Sequence, residues 1–317
     1  MSSRPHGILV IDKPAGPTSF QVVQQVRRCL GVKKVGHLGT LDPFATGVLP
    51  LGLQEATKLT PFLLDCPKTY RATMRLGEAT DTQDLTGTVL SRSSQLPDPE
   101  TIGPTLAALV GEHWQTPPMY SAVQVQGRRL YQYARQGLSV TVAPRPIHIQ
   151  AITLEAIDLP EVTFTVTCSK GTYIRTLAAD LGRHWGCGAH LRALRRLQVG
   201  PFSLAQAVPP PTAAAEAAQN LWEHLIPLAA CLPHLETVAV DAQTAARLQH
   251  GQAVALGPGT ELPSPPPGIY YKILCQQTLV AVATPTADGK KLQPVRVFHP
   301  DRPTAAAGRD RGRQQRD

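Results

Sequence analysis

A stretch at 34–50, reading KVGHLGTLDPFATGVLP, constrains the backbone of this chain more tightly than any other part of the sequence. Its three glycines permit tight turns or the close approach of another group, and Pro43 directs the residue before it towards an extended conformation. That residue is Asp42, the single acid in an otherwise largely apolar run. The pattern predicts a loop that presents the Asp42 carboxylate outward, although an aspartate before a proline can also serve as a turn cap.

Four further blocks of sequence accompany this stretch. In chain order the five are GILVIDKP at 7–14, GHLGTLDPFATGVL at 36–49, KTYR at 68–71 with LGEATDTQD at 76–84, PMYSA at 118–122, and CSKGTYIRTL at 168–177. Together they resemble the motifs of the TruB family, the bacterial tRNA pseudouridine-55 synthases, and they follow that family's order. The likeness extends to about residue 200.

The resemblance implies an active site built on Asp42. Pseudouridine formation breaks the N1–C1′ bond of uridine and reattaches the base to the same sugar through C5, so we expect no redox cofactor and no metal. Asp42 would act at C1′, either as a nucleophile or as a base and electrostatic stabiliser. Arg175 matches the family's active-site arginine, whose guanidinium can hold a carboxylate ionised in a bidentate pair. Tyr70 matches the active-site tyrosine, which can stack on the uracil.

Four more residues acquire roles from the same resemblance. Tyr173 and Leu194 correspond to residues that line the base pocket, and His37 to one that wedges into the RNA where the flipped base had stacked. Core packing for Leu194 and a structural role for His37 remain open. Lys13 belongs to a turn that is expected to buttress the active-site loop.

The charge of the chain favours a nucleic-acid partner. Its formal net charge is +8 and its pI about 9.3, which favours a polyanion. A base stacked in a folded tRNA loop must be extruded at a cost of a few kcal/mol, and phosphate contacts can offset that cost without reading sequence. The basic residues proposed for the RNA backbone, which could instead be ordinary solvated surface, are Lys58, Arg128, Arg129, Arg192, Arg195 and Arg196, with Lys33 and Lys34 as further candidates.

Other classes of site and location are disfavoured. Asp81 and Asp84 lie in a polar turn without the ligand spacing of a calcium loop, so they are predicted to be hydrogen-bond acceptors. The six dispersed cysteines contain no C-x-x-C pair and predict reduced thiols. No apolar run is long enough to span a membrane. We therefore expect a cytoplasmic protein with no metal.

The periodicity predicts an α+β fold. Strands are predicted at 8–11, 70–76, 87–90, 121–126 and 162–167, and helices at 100–111, 130–136 and 173–184. A further helix should begin at Thr18, which forms a capping box with Gln21, and end at Gly31. With the resemblance, this predicts a pseudouridine synthase catalytic domain that has a mixed, largely antiparallel sheet.

Composition suggests a domain boundary near residue 208. The catalytic domain is predicted over 1–207, extending to about 230 through a Pro/Ala-rich linker. A helix at 241–250 and strands at 270–275, 279–284 and 292–298 predict a small β-rich unit over 232–300, which resembles the PUA-like RNA-binding domain that ends many TruB proteins. An arginine-rich tail over 301–317 is predicted to be disordered.

The resulting hypothesis is a stand-alone tRNA pseudouridine-55 synthase that acts on the T-arm without a guide RNA or an obligate protein partner. Two alternatives remain open: an RNA-binding or tRNA-folding protein with an idle site, and a relative of the guide-RNA-directed pseudouridine synthases. Against the second, the segments 119–122 and 128–137 resemble the guide-independent branch.

Overall fold

The computed structural model describes residues 6–211, 215–255 and 268–299 of the 317-residue chain. Over these residues it has an α+β fold, as predicted from the sequence. The strands are β1 (Gly7–Lys13), β2 (Val35–His37), β3 (Thr46–Leu53), β4 (Lys68–Leu76), β5 (Glu78–Thr80), β6 (Val89–Arg92), β7 (Gly111–Gln115), β8 (Gln124–Val125), β9 (Arg128–Arg129), β10 (Arg145–Asp158), β11 (Glu161–Cys168), β12 (Ala189–Val199), β13 (Phe202–Ser203), β14 (Ile226–Pro227), β15 (Glu236–Val240), β16 (Val254–Ala255), β17 (Tyr271–Cys275), β18 (Thr278–Pro285) and β19 (Lys291–Val297). The α-helices are α1 (Ser19–Leu30), α2 (Thr60–Leu63), α3 (Pro99–Ala107), α4 (Leu130–Ala134), α5 (Ile174–His184), α6 (Ala215–Glu223) and α7 (Ala242–Gln249).

A ten-stranded sheet forms the larger part of the molecule. Its strand order is β14-β1-β3-β12-β4-β11-β10-β7, with β2 paired to β3 and β13 paired to β12. Neighbours are antiparallel except β3 and β12, which run parallel. The predicted mixed, largely antiparallel sheet is therefore confirmed.

Side chains on a strand alternate between the two faces of a sheet, and the two faces here differ. On one, which we call the helix face, α1 and α5 pack over a core that includes Leu9, Ile11 and Ala72. On the other, the outer face, Ile8 and Val10 of β1 contribute to a second core. The four consecutive apolar residues of β1 are thus buried on both sides, as a continuous apolar strand should be.

The C-terminal strands form a separate five-stranded sheet. Its order is β15-β17-β18-β19-β16, and α7 packs against it. Leu279, Val282 and Phe298 of this unit share one core with Ile8 and Val10 of the outer face. The β-rich unit is therefore attached to the large sheet by apolar packing.

Several elements agree with the sequence prediction. The side chain of Thr18 accepts from the backbone of Gln21 and the Gln21 side chain returns to the backbone of Thr18, and Gly31 ends α1 with φ 58°. Strand β11 alternates buried and half-buried residues as its period of two requires. The helix at 173–184 and the four C-terminal elements lie within a residue or two of their predicted bounds.

Other elements differ from the prediction. The loop predicted over 34–50 becomes strand β3 from Thr46 onward, and the helix predicted over 100–111 ends at Ala107 because 111–115 pairs as β7 with β10. The strand predicted over 121–126 is reduced to β8. The predicted tail over 301–317 and part of the linker, 212–214, lie outside the described residues. No helix in the described ranges is long and apolar enough to cross a membrane.

Candidate active site

Asp42 and Arg175 meet at the helix face. Asp42 lies in the loop between β2 and β3, and Arg175 in the first turn of α5. The Nε atom of Arg175 lies 2.9 Å from Oδ2 of Asp42, and its Nη2 atom donates to Oδ1 at 3.3 Å. Two guanidinium nitrogens thus face the two carboxylate oxygens, one through a hydrogen bond and the other as an ion pair, and such a two-point contact fixes the orientation of a carboxylate.

The rest of the Arg175 guanidinium is held by the backbone. Its Nη1 donates to the carbonyl of Thr82 at 3.0 Å and its Nη2 to the carbonyl of Tyr120 at 2.8 Å. The Arg175 side chain is only 4% exposed, whereas that of Asp42 is 33% exposed. A buried, fixed cation therefore presents a carboxylate that remains open to a ligand.

A second carboxylate faces the same arginine. Oδ2 of Asp84 lies 3.8 Å from Nε of Arg175, and the side chain is buried. Its other oxygen, Oδ1, accepts from the Thr82 hydroxyl at 2.8 Å and from the backbone and hydroxyl of Thr86 at 2.9 and 2.6 Å. Asp84 is a hydrogen-bond acceptor, as predicted, but its contact with Arg175 was not predicted. The sequence signal that could have indicated this contact is that Asp84 ends the motif block LGEATDTQD at 76–84.

Burial raises the pKa of Asp42 above its ordinary value, and three neighbouring charges modify the shift. Arg175 lowers the pKa, Asp84 raises it because two nearby negative charges repel, and Lys13 lowers it. The net pKa is raised. The arginine therefore opposes the neutralisation that burial would otherwise favour.

Lys13 fastens the loop that carries Asp42. Its Nζ atom donates to the carbonyls of Pro14, Pro43 and Ala45 at 2.8, 3.1 and 2.7 Å, and the side chain is fully buried. Burial lowers the pKa of Lys13 to about 8, with Asp42 opposing this shift and Arg196 adding to it. The predicted buttressing role of Lys13 is confirmed by these contacts.

Helix α1 fastens the same loop from another side. The hydroxyl of Ser19 accepts from the backbone N–H of Leu41 at 2.8 Å and donates to its carbonyl at 3.0 Å. The backbone N–H of Gly16 donates to the carbonyl of Pro43 at 2.9 Å. The residues on either side of Asp42 are therefore fixed to the start of α1.

Arg196 corrects one prediction. It was proposed to contact the RNA backbone, but it is 1% exposed. Its guanidinium donates to the carbonyls of Val48, Thr40 and Gly39 at 2.7, 3.3 and 3.1 Å. The prediction is wrong because Arg196 lies on the buried side of β12, where it holds the active-site loop from beneath.

Arg192 and Arg195 are displaced from the site by strand alternation. Leu191 and Leu194 of β12 lie in the core of the helix face. Arg192 instead pairs with Glu161 at 2.6 Å and Arg195 with Asp12 at 2.7 Å, and both acids belong to the outer face. The two side chains are 56% and 40% exposed, so their predicted RNA contact stays a prediction, and it concerns the outer face.

Lys58 has an intramolecular role. Its ammonium lies 2.6 Å from Oε2 of Glu55 and donates to the carbonyl of Val297 at 3.0 Å. The same Glu55 oxygen accepts from the backbone N–H of His299 at 3.1 Å. Lys58 thus joins the large sheet to the C-terminal unit, and its side chain is still 30% exposed, so its predicted RNA contact stays a prediction.

Tyr70 and Leu194 lie on the helix face beside the loop. In the register of β4 and β12, Tyr70 is opposite Arg196, and Leu194 is opposite Ala72. Both side chains are almost fully buried. Burial raises the pKa of Tyr70, and the nearby Arg196 opposes this shift. Tyr70 therefore offers a neutral phenol and an aromatic ring beneath the site.

Tyr173 precedes α5 and is positioned by a residue that the sequence did not single out. The side chain of Gln115 accepts from the Tyr173 backbone N–H at 2.8 Å and donates to its carbonyl at 3.1 Å. Gln115 is buried at the end of β7. It fixes the turn that carries Arg175 two residues later.

His37 ends β2 opposite Leu51 of β3. Burial lowers the pKa of its imidazole, and the Arg196 cation lowers it further. The buried Nδ1 atom has no hydrogen-bond partner among the residues that the structure describes. His37 is therefore a neutral ring beside the loop, which suits packing against a base better than proton transfer.

Arg128 and Arg129 form the exposed β9 strand of a small hairpin with β8. Arg128 stacks on Tyr133 with 4.7 Å between the guanidinium and the ring centroid. This hairpin follows Tyr120, whose carbonyl binds Arg175, so the two arginines stand near the site. Among the described residues, no three or more His, Cys, Asp or Glu side chains are arranged to hold a metal ion.

Comparison with known proteins identifies the family. The family model of the N-terminal domain of TruB family pseudouridylate synthases matches residues 27–174, and that of the tRNA pseudouridylate synthase B C-terminal domain matches 175–232. A tRNA pseudouridine synthase B from Geobacter sulfurreducens is 44% identical over 305 residues, covering 92% of this chain and 99% of that protein. The chain belongs to the TruB family.

Other relatives of this TruB chain agree. The tRNA pseudouridine synthase B of Geotalea uraniireducens is 48% identical over 252 residues, covering 79% of this chain and 81% of that protein. Among solved structures, an H/ACA RNP bound to a substrate RNA containing 2′-deoxyuridine has a TM-score of 0.68 at 25% identity, over 93% of this chain and 85% of that one. The fold shared with that structure therefore covers nearly the whole chain.

Proposed function

We propose that this TruB-family protein is a tRNA pseudouridine synthase that isomerises uridine 55 of the T-arm without a guide RNA, a cofactor or a metal. The observation that carries the proposal is the two-point contact between Asp42 and the buried Arg175, on a loop fastened by Lys13, Ser19 and Arg196. A carboxylate aimed in this way is the one group that the isomerisation requires beside C1′.

The reaction needs few groups because it is balanced within the substrate. The N1–C1′ bond breaks, a C5–C1′ bond forms, C5 loses its proton and N1 gains one. Asp42 serves at C1′, as a nucleophile or as a base that stabilises developing positive charge, and Arg175 keeps it ionised. Tyr70 and Leu194 form the apolar surface on which the uracil packs, and Tyr173 lies at the edge of this surface.

Binding precedes this chemistry, since the uridine must leave its stack. His37 packs against the RNA where the base had been, and Arg128 and Arg129 contact phosphates from the exposed hairpin. The catalytic domain spans 1–207, with an extension to about 230, and the unit at 232–300 acts as a PUA-like RNA-binding domain. A cytoplasmic enzyme with tRNA as its partner follows from these roles.

The test is tritium release from a tRNA transcript labelled at C5 of uridine, with purified protein alone and a chelator present. Wild type should release one equivalent per tRNA, and a transcript with cytidine at position 55 should release none. Asp42→Asn keeps the volume and removes the charge, so it should release none while binding tRNA normally. Turnover by Asp42→Asn near the wild-type rate would refute the role of Asp42.

The same assay separates the alternatives. Tight binding by wild type without tritium release would support a tRNA-folding protein. Release that requires added guide RNA and partner proteins would support a guide-directed enzyme. Release of one equivalent from the transcript with cytidine at position 55 would show that the target uridine lies elsewhere in the tRNA.

A further inference from the structure

Three of the six cations predicted for the RNA backbone lie on β12, where Arg192 and Arg195 are on the outer face and Arg196 is buried. Helix α1 lies on the active-site side of the sheet, because its buried residues Val22 and Val26 pack in the helix-face core. The segment from Pro14 to Leu41 contains four lysines and arginines, all of them exposed, and no aspartate or glutamate. It is therefore a basic surface that ends at the Asp42 loop.

Four residues of α1 form one solvent-facing stripe, which we call the α1 stripe: Phe20, Gln24, Arg27 and Arg28. Residues three, four or seven positions apart share one side of a helix, so the first three align and Arg28 lies beside Gln24. The Arg28 Nε atom donates to the Gln24 carbonyl of its own helix, at 3.3 Å. Neither arginine of the α1 stripe forms an ion pair with an acid of the described chain.

Phe20 gives the α1 stripe an unusual exposed aromatic ring. Its side chain is 64% exposed, although it directly follows Ser19, whose hydroxyl binds the backbone of Leu41. Phe20 is therefore the next residue in the chain after the one that fastens the Asp42 loop to α1. A solvated phenyl ring next to cations is a suitable surface for an unpaired base, since bases stack on aromatic side chains in RNA complexes.

We propose that the α1 stripe is an RNA-binding surface, with Arg27 and Arg28 on phosphates and Phe20 stacked on an unpaired base next to the extruded uridine. Charge complementarity and continuity with the active-site loop both favour RNA as the occupant. The stripe runs from Phe20 to Arg28, about 12 Å at 1.5 Å per residue, and leads away from Asp42. This inference rests on the proposed function, because it assigns RNA as the substrate of the same site.

The first test is the salt dependence of tRNA binding, measured by fluorescence anisotropy with a labelled, unmodified transcript between 50 and 200 mM KCl, a range chosen to resolve counterion release. The double variant Arg27→Gln with Arg28→Gln should lower the slope of log K against log salt by about 1.5 and raise Kd about tenfold at 100 mM. The matched control is Arg92→Gln with Arg183→Gln, which removes two arginines that are each 73% exposed elsewhere. The control should leave slope and Kd within about twofold of wild type, since no phosphate contact is lost.

The second test separates stacking from charge. Phe20→Ala should raise Kd by about fivefold or more without changing the salt slope, because the contact that it removes is uncharged. Phe20→Tyr should restore binding. At saturating tRNA, the control pair Arg92→Gln with Arg183→Gln should release tritium at the wild-type single-turnover rate, because neither arginine belongs to the active site or to the α1 stripe.

Two outcomes would overturn the proposal: a wild-type slope and Kd in the Arg27 and Arg28 double variant, or an equal loss in the control pair, which would reduce the effect to net charge. The wild-type release assay keeps the two proposals distinguishable. If wild-type protein releases tritium but the double variant keeps the wild-type salt slope, the α1 stripe is rejected and the proposed reaction stands. A reduced slope in a protein that releases no tritium rejects the proposed reaction alone.

Discussion

At the scale of single residues, the site depends on one guanidinium shared between two carboxylates. Arg175 contacts Asp42 directly and lies 3.8 Å from Asp84. The arginine lowers the pKa of Asp42, whereas burial and the Asp84 charge raise it. Asp84 holds its place through three donors from Thr82 and Thr86. The charge state of Asp42 is therefore set partly by a second, buried carboxylate.

Removal of the Asp84 charge should extend activity to lower pH. Asp84→Asn preserves the acceptor oxygen and deletes the negative charge that raises the pKa of Asp42. Because activity requires ionised Asp42, the acid limb of the single-turnover rate should move to lower pH. Asp81→Asn, in the same turn, is the control and should leave the limb in place. If the acid limb of Asp84→Asn stays at the wild-type pH or moves to higher pH, Asp84 does not raise the pKa of Asp42.

Lys13 should set a basic limit to activity. Its pKa is lowered from 10.5 to about 8, so the ammonium form, with a donor for each of three carbonyls, predominates below pH 8 and is lost above it. The rate should fall as the pH rises through about 8. Lys13→Met should lower the rate at pH 7 by roughly 100-fold, as expected for a misplaced catalytic group, and abolish this basic limb. Single-turnover rates from pH 6 to 9.5 provide the measurement.

The control for Lys13 is Lys68, a buried lysine whose Nζ atom donates to the carbonyls of Leu64 and Cys66. Those carbonyls precede β4 and do not belong to the Asp42 loop. Lys68→Met should therefore retain the basic limb near pH 8. A basic limb that survives in Lys13→Met would assign it to another group.

At the scale of elements, the sequence predicted those parts whose pattern is local. Helix α1 carries its own cap and stop, and β11 shows a clean period of two, so both were found. Strand β12 was missed because register shifts after Leu191 and Arg196 break its alternation. The same irregularity concealed which arginines of β12 face the site. Asp42 and Arg175 could be predicted because both lie in motif blocks, whereas Gln115 lies in none of these blocks and its contact with Tyr173 appears only in the fold.

The parallel pairing of β3 with β12 requires glycine at position 47. Gly47 has φ 102° and pairs with Arg196, and a Cβ atom there would lie 2.2 Å from the Arg196 carbonyl oxygen. Gly47→Ala should lower the free energy of unfolding by more than about 3 kcal/mol, since backbone strain adds to a steric clash. Urea denaturation followed by circular dichroism measures this change.

Gly111→Ala is the matched control for that prediction. Gly111 has φ 125°, but a Cβ atom there would meet nothing within 4 Å. Its substitution should cost only the backbone term, about 1–2 kcal/mol. If the two variants lose the same free energy of unfolding, the Arg196 carbonyl must move to make room for the Cβ atom. The pairing of β3 with β12 would then not require glycine.

At the scale of the whole molecule, the two sheets share a core that the sequence could not reveal. The apolar run of β1 predicted burial, but the residues that cover its outer side, Val282 and Phe298, lie more than 250 positions away. The Glu55–Lys58 pair adds polar contacts to the same junction. The C-terminal unit therefore supports β1 and β3, and the Asp42 loop leads directly into β3.

Shared packing predicts that the two parts unfold together. All three tryptophans, at 114, 185 and 222, precede the C-terminal unit, so their fluorescence reports on the large sheet and its helices alone. Phe298 is fully buried in the shared core, and Phe298→Ala should cost about 3–5 kcal/mol. If the parts are coupled, this distant change shifts the tryptophan transition in urea to lower concentration, coincident with the circular dichroism transition. If the fluorescence midpoint stays in place while circular dichroism shows an earlier phase, the C-terminal unit unfolds independently and cannot stabilise the Asp42 loop.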